Sequence, residues 1–248
     1  MGYMNRIVLH HSGGSYKPNA TDKTHYHEII DGDCQTVEGF HAVEDNAPGR
    51  SLVSGGYAAH TLNLNSGAIG LCVACMHGAE WSKPYASNPP TSPQMDALLK
   101  RAAYWSVFYG IPPSRVNILT HAEVQITLGV AQRQKWDFDY DPYRKITGRD
   151  PIEIGDFIRS RVSAYRQDLL QSTAAVEQAT KPFATRLPVL RRGSSGSSVV
   201  ALQKLLHMAY TDGLFGPMTY SAVVAFQRNS SLLPDGIVGP MTWLALGQ

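Results

Sequence analysis

Apolar residues in the first two thirds of the chain fall by turns into short runs and into helical spacing. Ile7-Val8-Leu9 is a compact strand-like run ending on the pair His10-His11. Residues 26–30 read as another strand, with Asp31-Gly32-Asp33 as the turn after it. Residues 68–76 form the most strand-like run and are expected near the sheet centre, while Val116-Asn-Ile-Leu-Thr120 is a further apolar run that breaks to polar residues. Met95, Leu98, Leu99, Ala102, Ala103 and Trp105 recur at helical spacing behind Ser92-Pro93, with Gly110 as the stop. Asp150-Pro151-Ile152-Glu153 resembles a capping box and opens a helix through Ile154, Phe157, Ile158, Val162 and Tyr165 to about Leu170. This alternation predicts an α/β domain, a mixed sheet flanked by helices, over residues 1–170.

The pattern changes after that. Residues 171–187 are rich in Ala, Thr, Ser and Gln and read as a linker. Beyond it the chain repeats itself at an offset of 23 residues: Asp212-Gly-Leu-Phe-Gly-Pro-Met-Thr219 and Asp235-Gly-Ile-Val-Gly-Pro-Met-Thr242. Asp-Gly and Gly-Pro form turns, and the Thr after each is expected to cap a short helix. With Val199, Leu202, Leu205 and Leu206 on one helical face upstream, residues 188–248 should form a small all-α domain built from a duplicated unit.

Composition narrows the function. A hydrophobic content of 43% supports a real core, and a net charge of +2 without any basic stripe argues against nucleic acid as a partner. The three cysteines, Cys34, Cys72 and Cys75, cannot form a full disulfide framework. Cys72 and Cys75, three apart on one strand, point to opposite faces and read as buried free thiols. No leader with a long apolar stretch and no membrane-spanning run is visible, so membrane insertion is not expected.

Candidate chemistry lies among nine histidines. His10 ends one strand and His121 follows another, so both imidazoles can project from a sheet edge into a cleft. A hydrolytic zinc site uses three protein ligands and leaves a fourth position for water. Asp137, sixteen residues after His121, is a candidate third ligand, and Asp139 and Asp141 stand beside it.

The order of short motifs then resembles one superfamily. Val8-Leu9-His10-His11-Ser12, Tyr26-His27-Glu28-Ile29-Ile30-Asp31-Gly32, His60 with Asn65, Ala68-Ile69-Gly70-Leu71-Cys72, Thr120-His121-Ala122-Glu123-Val124 and Lys135-Trp136-Asp137 follow one another as in zinc N-acetylmuramoyl-L-alanine amidases of phages and bacteria, relatives of animal peptidoglycan-recognition proteins. Leu190-Arg-Arg-Gly193, Val199-x-x-Leu202-Gln203, Ala225-Phe226-Gln227 and Thr242-Trp243, together with the two Asp-Gly loops, resemble the peptidoglycan-binding domain of cell-wall hydrolases.

The resemblance implies a zinc ion on His10, His121 and Asp137, and cleavage of the amide between N-acetylmuramic acid and L-alanine of the stem peptide. It implies that Tyr26 orients the attacking water, that Lys135 steadies the oxyanion, and that His60 and Asn65 line the substrate groove. A related branch uses a Glu where Cys72 stands here. Relatives also carry a helix between the first His and the Tyr, whereas residues 13–24 here are short, polar and Pro-containing, so that groove wall is expected to be reduced. Peptidoglycan is the expected partner of a monomer that is made in the cytoplasm and acts on the wall after release, as a phage endolysin does. A non-catalytic recognition protein and a zinc peptidase cutting within the stem peptide are the competing readings.

Overall fold

The computed structural model describes residues 4–79, 87–133, 135, 137–138, 143, 150–180, 187–230, 232 and 234–247, with backbone alone at 172–180 and 240. Trp136, Asp139, Asp141 and linker residues 181–186 lie outside the described residues. The chain divides into two compact units, Met1–Leu169 and Leu170–Gln248.

Among the described residues, the first unit is built on a five-stranded sheet in the order β3-β2-β4-β1-β5. The strands are β1 (Arg6–His11), β2 (Glu28–Ile30), β3 (Thr36–Glu38), β4 (Ala68–Val73) and β5 (Ile118–Thr120). β1 runs parallel to β4 and β5, β2 runs parallel to β4, and β3 closes the edge antiparallel to β2. The β2–β3 turn forms because Asp31 Oδ1 accepts the N–H groups of Asp33 and Gln35, at 3.0 and 2.8 Å. Every residue of β4 is buried, as expected for a parallel strand covered on both faces.

The two faces are unequal. On one, Ile7, Leu9, Ile69, Leu71, Val73 and Ile118 form a single large core with Met95, Leu98, Leu99 and Ala102 of α2 (Ser92–Phe108) and Ile154, Ile158 and Val162 of α4 (Pro151–Thr180). On the other, apolar burial shrinks to Val8, Leu119 and Val124 in one cluster and Ile29, Cys72 and Ala74 in another. The histidines occupy the space between those small clusters. Cys72 and Cys75 fall into the clusters of opposite faces as buried free thiols.

Three local expectations are corrected. The polar segment 13–24 does contain a helix, α1 (Ala20–His25), held by a capping box in which Asn19 Oδ1 accepts Asp22 N–H at 3.0 Å and Asp22 Oδ2 accepts Asn19 N–H at 2.9 Å. Tyr26 is the C-cap of that helix, and β2 begins only at Glu28. α4 does not stop near Leu170 but continues to Thr180, because the Ala- and Gln-rich stretch that reads as linker also favours helix.

In the second unit, α5 (Ser197–Leu205), α6 (Pro217–Asn229) and α7 (Pro240–Ala245) surround a core of Leu190, Val199, Leu202, Phe215, Val223, Val238 and Trp243. The duplication has a side-chain basis. Gln203 Nε2 donates to Asp212 Oδ1, Leu214 O and Thr219 Oγ1 at 2.7, 3.1 and 3.0 Å, and its Oε1 accepts Gly213 N–H at 2.9 Å. Gln227 repeats the pattern on Asp235, Ile237, Thr242 and Gly236 at 3.0, 2.9, 3.1 and 2.9 Å. Each buried amide thus staples one Asp-Gly loop, where Gly213 and Gly236 take φ of +71° and +68°. Thr219 and Thr242 are therefore not the helix caps. Gly216 and Gly239 hold that position, and both threonine hydroxyls turn inward onto the glutamines.

Candidate metal centre and cleft

Parallel strands bring their carboxyl ends to one edge, and open α/β sheets take ligands there. The last β1–β5 pair is Leu9 with Thr120, so one step further His10 and His121 stand side by side, ring centroids 4.6 Å apart. His121 is the first residue of α3 (His121–Leu128), whose start is fixed where Glu123 Oε2 accepts Thr120 N–H at 2.9 Å. Arg159 pairs with the Glu123 carboxylate at 2.8 Å. The segment carrying Asp137 is drawn to the same edge by Ala122 N–H donating to Asp137 O at 3.2 Å.

The three side chains converge. Asp137 Oδ2 lies 3.2 Å from His10 Nδ1 and 3.3 Å from His121 Nδ1, with one donor atom from each residue inside 4.8 Å and all three buried. Donors about 2.0–2.2 Å from a tetrahedral zinc stand roughly 3.3–3.5 Å from one another. The carboxylate-to-imidazole separations match that edge, and two imidazole nitrogens with one carboxylate suit zinc chemically. Burial pushes the His10 imidazole down to about 4, so its lone pair is open to a metal at neutral pH. Burial also opposes the charge on Asp137, but neighbouring His11 and the contacts from His10 and His121 outweigh it and hold the carboxyl well below its ordinary range.

His11, next in the strand, turns to the opposite face, where its ring meets Phe138 edge-on at 6.0 Å; Nε2 stays 3.6 Å from Asp137 Oδ1. A cavity of about 850 Å³ is lined by His121 and Asp137, with His10 fully buried behind them, and by Tyr26, Tyr57, His60, Asn65, Gln132 and Lys135 among others. The Tyr26 ring lies 5.1 Å from that of His10. Burial, with Cys72 and Asp137 nearby, raises its phenol well above the ordinary value, which keeps the side chain a neutral hydroxyl. Lys135 is exposed on the cavity wall.

His60 and Asn65 also line the cavity, yet both are committed inward. His60 Nδ1 is 3.2 Å from His10 Nε2 and 2.8 Å from Thr61 Oγ1, and its Nε2 is 3.3 Å from Ala68 O. Asn65 Oδ1 accepts Thr61 N–H at 2.8 Å. Cys72, opposite His10 in the β1–β4 register, is a thiol that burial keeps protonated. Gln132, which the sequence reading passed over, contacts His121 Nε2 through its Oε1 at 2.9 Å. No periodicity or motif marks it; it is one polar residue in a polar loop.

The fold is an α/β domain whose carboxyl edge carries three donors that could hold a metal ion. Residues 2–142, more than half of the chain, match the N-acetylmuramoyl-L-alanine amidase family, and residues 195–246 match a peptidoglycan binding domain. The chain belongs to that amidase family and carries a C-terminal peptidoglycan-binding domain, as the motifs imply. Over 70 residues it is 47% identical to an uncharacterized protein in the bpoA1 3' region of Kitasatospora aureofaciens, covering 26% of this chain and 59% of that protein. The chain thus spans less than two thirds of the length of that curated relative. Among solved structures, a peptidoglycan-binding protein from Clostridioides difficile in complex with glutamine hydroxamate is 47% identical over 24% of this chain and 40% of its own, with a TM-score of 0.23. The amidase AmiD from E. coli, in complex with an anhydro-N-acetylmuramic acid peptide, is 16% identical over 98% of this chain and 87% of its own, with a TM-score of 0.32.

Proposed function

We propose that this chain hydrolyses the amide joining the lactyl group of N-acetylmuramic acid to L-alanine in peptidoglycan, with zinc held by His10, His121 and Asp137. The observation that carries the reading is the meeting of two imidazole Nδ1 atoms on one carboxylate oxygen beneath an open cleft, in a chain of this family. When bound, zinc supplies a Lewis acid and brings the pKa of water to about 7. The chain's own groups do the rest. The protonated Tyr26 hydroxyl, near His10, orients the attacking water and relays its proton toward the departing alanine nitrogen. The Lys135 ammonium on the cavity wall balances the negative charge that develops on the carbonyl oxygen. The C-terminal domain holds the enzyme on its insoluble substrate and raises the local substrate concentration.

Product analysis and metal analysis test this together. The full chain should release peptides with new L-alanine amino termini and carry one zinc, and Asp137→Ala should stay folded while losing both the metal and wall lysis. Alanine left on the sugar would indicate a stem-peptide peptidase, and lysis by metal-free protein would sink the assignment.

A further inference from the structure

We propose that Gln132 is a positioning residue for His121, acting by fixing which ring nitrogen carries the proton; this rests on the metal reading above. Gln132 is 2% exposed, and its amide cannot turn over. Its Nε2 donates to two backbone carbonyls, Leu62 O at 2.9 Å and Val130 O at 3.2 Å. Both amide protons are used in this way, which leaves Oε1 facing His121 Nε2 at 2.9 Å. The reversed amide would set an oxygen against two carbonyl oxygens. A carbonyl oxygen only accepts, so His121 Nε2 must carry a proton. The lone pair of the neutral ring is then on Nδ1, the atom that faces Asp137.

The same logic recurs at His10. The Ala68 carbonyl, 3.3 Å from His60 Nε2, requires the proton there, so His60 Nδ1 is an acceptor, facing the Thr61 hydroxyl at 2.8 Å and His10 Nε2 at 3.2 Å. His10 too is left with Nδ1 toward Asp137. Both arrangements end on backbone carbonyls near the start of β4, Leu62 O in the loop before it and Ala68 O at its first residue, and Asn65 holds that loop through Thr61 N–H. Gln132 is also tied to the helix that begins with His121, since its N–H donates to Gln125 Oε1 at 3.0 Å. Partners of this kind typically change metal affinity or activity by about 10–100-fold when removed.

The test uses ¹⁵N-labelled full-length protein, with ring-nitrogen NMR on zinc-free and zinc-loaded samples and zinc affinity from competition with a chromophoric chelator. In the wild type, His121 should carry a proton on Nε2 in both states and bind zinc through Nδ1 in the loaded one. Gln132→Leu should lose the tautomer preference and bind zinc about 10–100-fold more weakly. Gln132→Glu keeps an acceptor oxygen toward His121 Nε2, so it should restore the Nε2–H form, while its second oxygen, set against Leu62 O and Val130 O, should cost stability and part of the zinc affinity. A structural role alone would predict no rescue by Glu. Coordination of wild-type His121 through Nε2, or wild-type affinity in Gln132→Leu, overturns the proposal, and the wild-type spectrum decides it even where the Leu variant does not fold. Should the wild type bind no zinc, the metal reading fails, while the ring spectra of the zinc-free protein still judge Gln132.

Discussion

Gly70 lies in the middle of β4, paired with Val8 of β1, and a methyl group added there has nowhere to go. A Cβ on Gly70 would stand 2.4 Å from His60 Cγ, 2.6 Å from Cδ2 and 2.9 Å from Cβ. Carbon atoms rest at about 3.5–4.0 Å, so the His60 ring must retreat by roughly 1 Å. It is wedged against Ala68 O, Thr61 Oγ1 and His10 Nε2 at 3.3, 2.8 and 3.2 Å, and cannot retreat without loosening those contacts. Overpacking of this kind costs about 1–3 kcal/mol, and each weakened neutral hydrogen bond about 1 kcal/mol more. Alanine regains about 0.5–1 kcal/mol over glycine in a strand.

Gly70→Ala should therefore destabilise the first unit by about 2–4 kcal/mol, a fall in melting temperature of roughly 5–15 °C for a unit of this size. Calorimetry of the metal-free full chain measures it, with the transition of the second unit as internal control. His60→Ala makes the mechanism specific: in that background the added methyl enters vacated space, and Gly70→Ala should be neutral or slightly stabilising. The double-mutant cycle should then give a coupling of about 2–4 kcal/mol. A Gly70→Ala protein melting within about 2 °C of wild type, or two substitutions whose effects simply add, would refute the wedge.

Two further expectations follow from the site and its surroundings. Lys135→Ala should keep zinc and lower turnover on soluble muropeptide by about 10²–10³-fold, and a rate within threefold of wild type would remove Lys135 from the chemistry. His27 is buried with Nδ1 accepting Gly70 N–H at 2.9 Å, and burial brings its pKa down to about 4. The unfolded chain, with an ordinary histidine near 6.5, then binds more protons than the folded one between those values. Stability is thus fully present above about pH 6.5 and falls as pH drops toward 4, by on the order of 3 kcal/mol from this residue. Melting of the metal-free protein at pH 7.5, 6 and 5 checks this, and His27→Gln should make the decline shallower, with buried His10 still adding its own; a flat wild-type profile would show that His27 is not held neutral.

What could be read from the chain follows how each element is stabilised. β1, β4, α2 and the start of α4 lie on the large core, and burial leaves a continuous apolar run in a strand covered on both faces and a mark at every third and fourth residue of a helix. α1 is fixed instead by the reciprocal Asn19–Asp22 bonds, and in the described chain its only buried residue is Asp22, so an apolar pattern could not reveal it. The misread threonines have a similar cause: Gly-Pro-Met-Thr signals a helix start correctly, but Pro217 and Pro240 fill the first turn and push Thr219 and Thr242 inward to the stapling glutamines.

The site divides along the same line. His10 and His121 can be anticipated because a strand ending on histidine is a directional statement, and parallel pairing through Leu9 and Thr120 carries both residues to one edge. The third donor needed the family pattern to separate Asp137 from its acidic neighbours. Gln132 and the inward commitment of His60 were beyond reach, because each depends on backbone carbonyls, Leu62 O, Val130 O and Ala68 O, whose identity leaves no trace in side-chain order. This has a consequence for substitution at the two kinds of position. Exchanging a donor to the metal changes a residue type that the chemistry names, whereas the shell behind it is fixed by loop geometry. A change in the loop before β4 that moves the Leu62 carbonyl, or the Ala68 carbonyl that follows it, should therefore disturb metal binding while every donor stays in place.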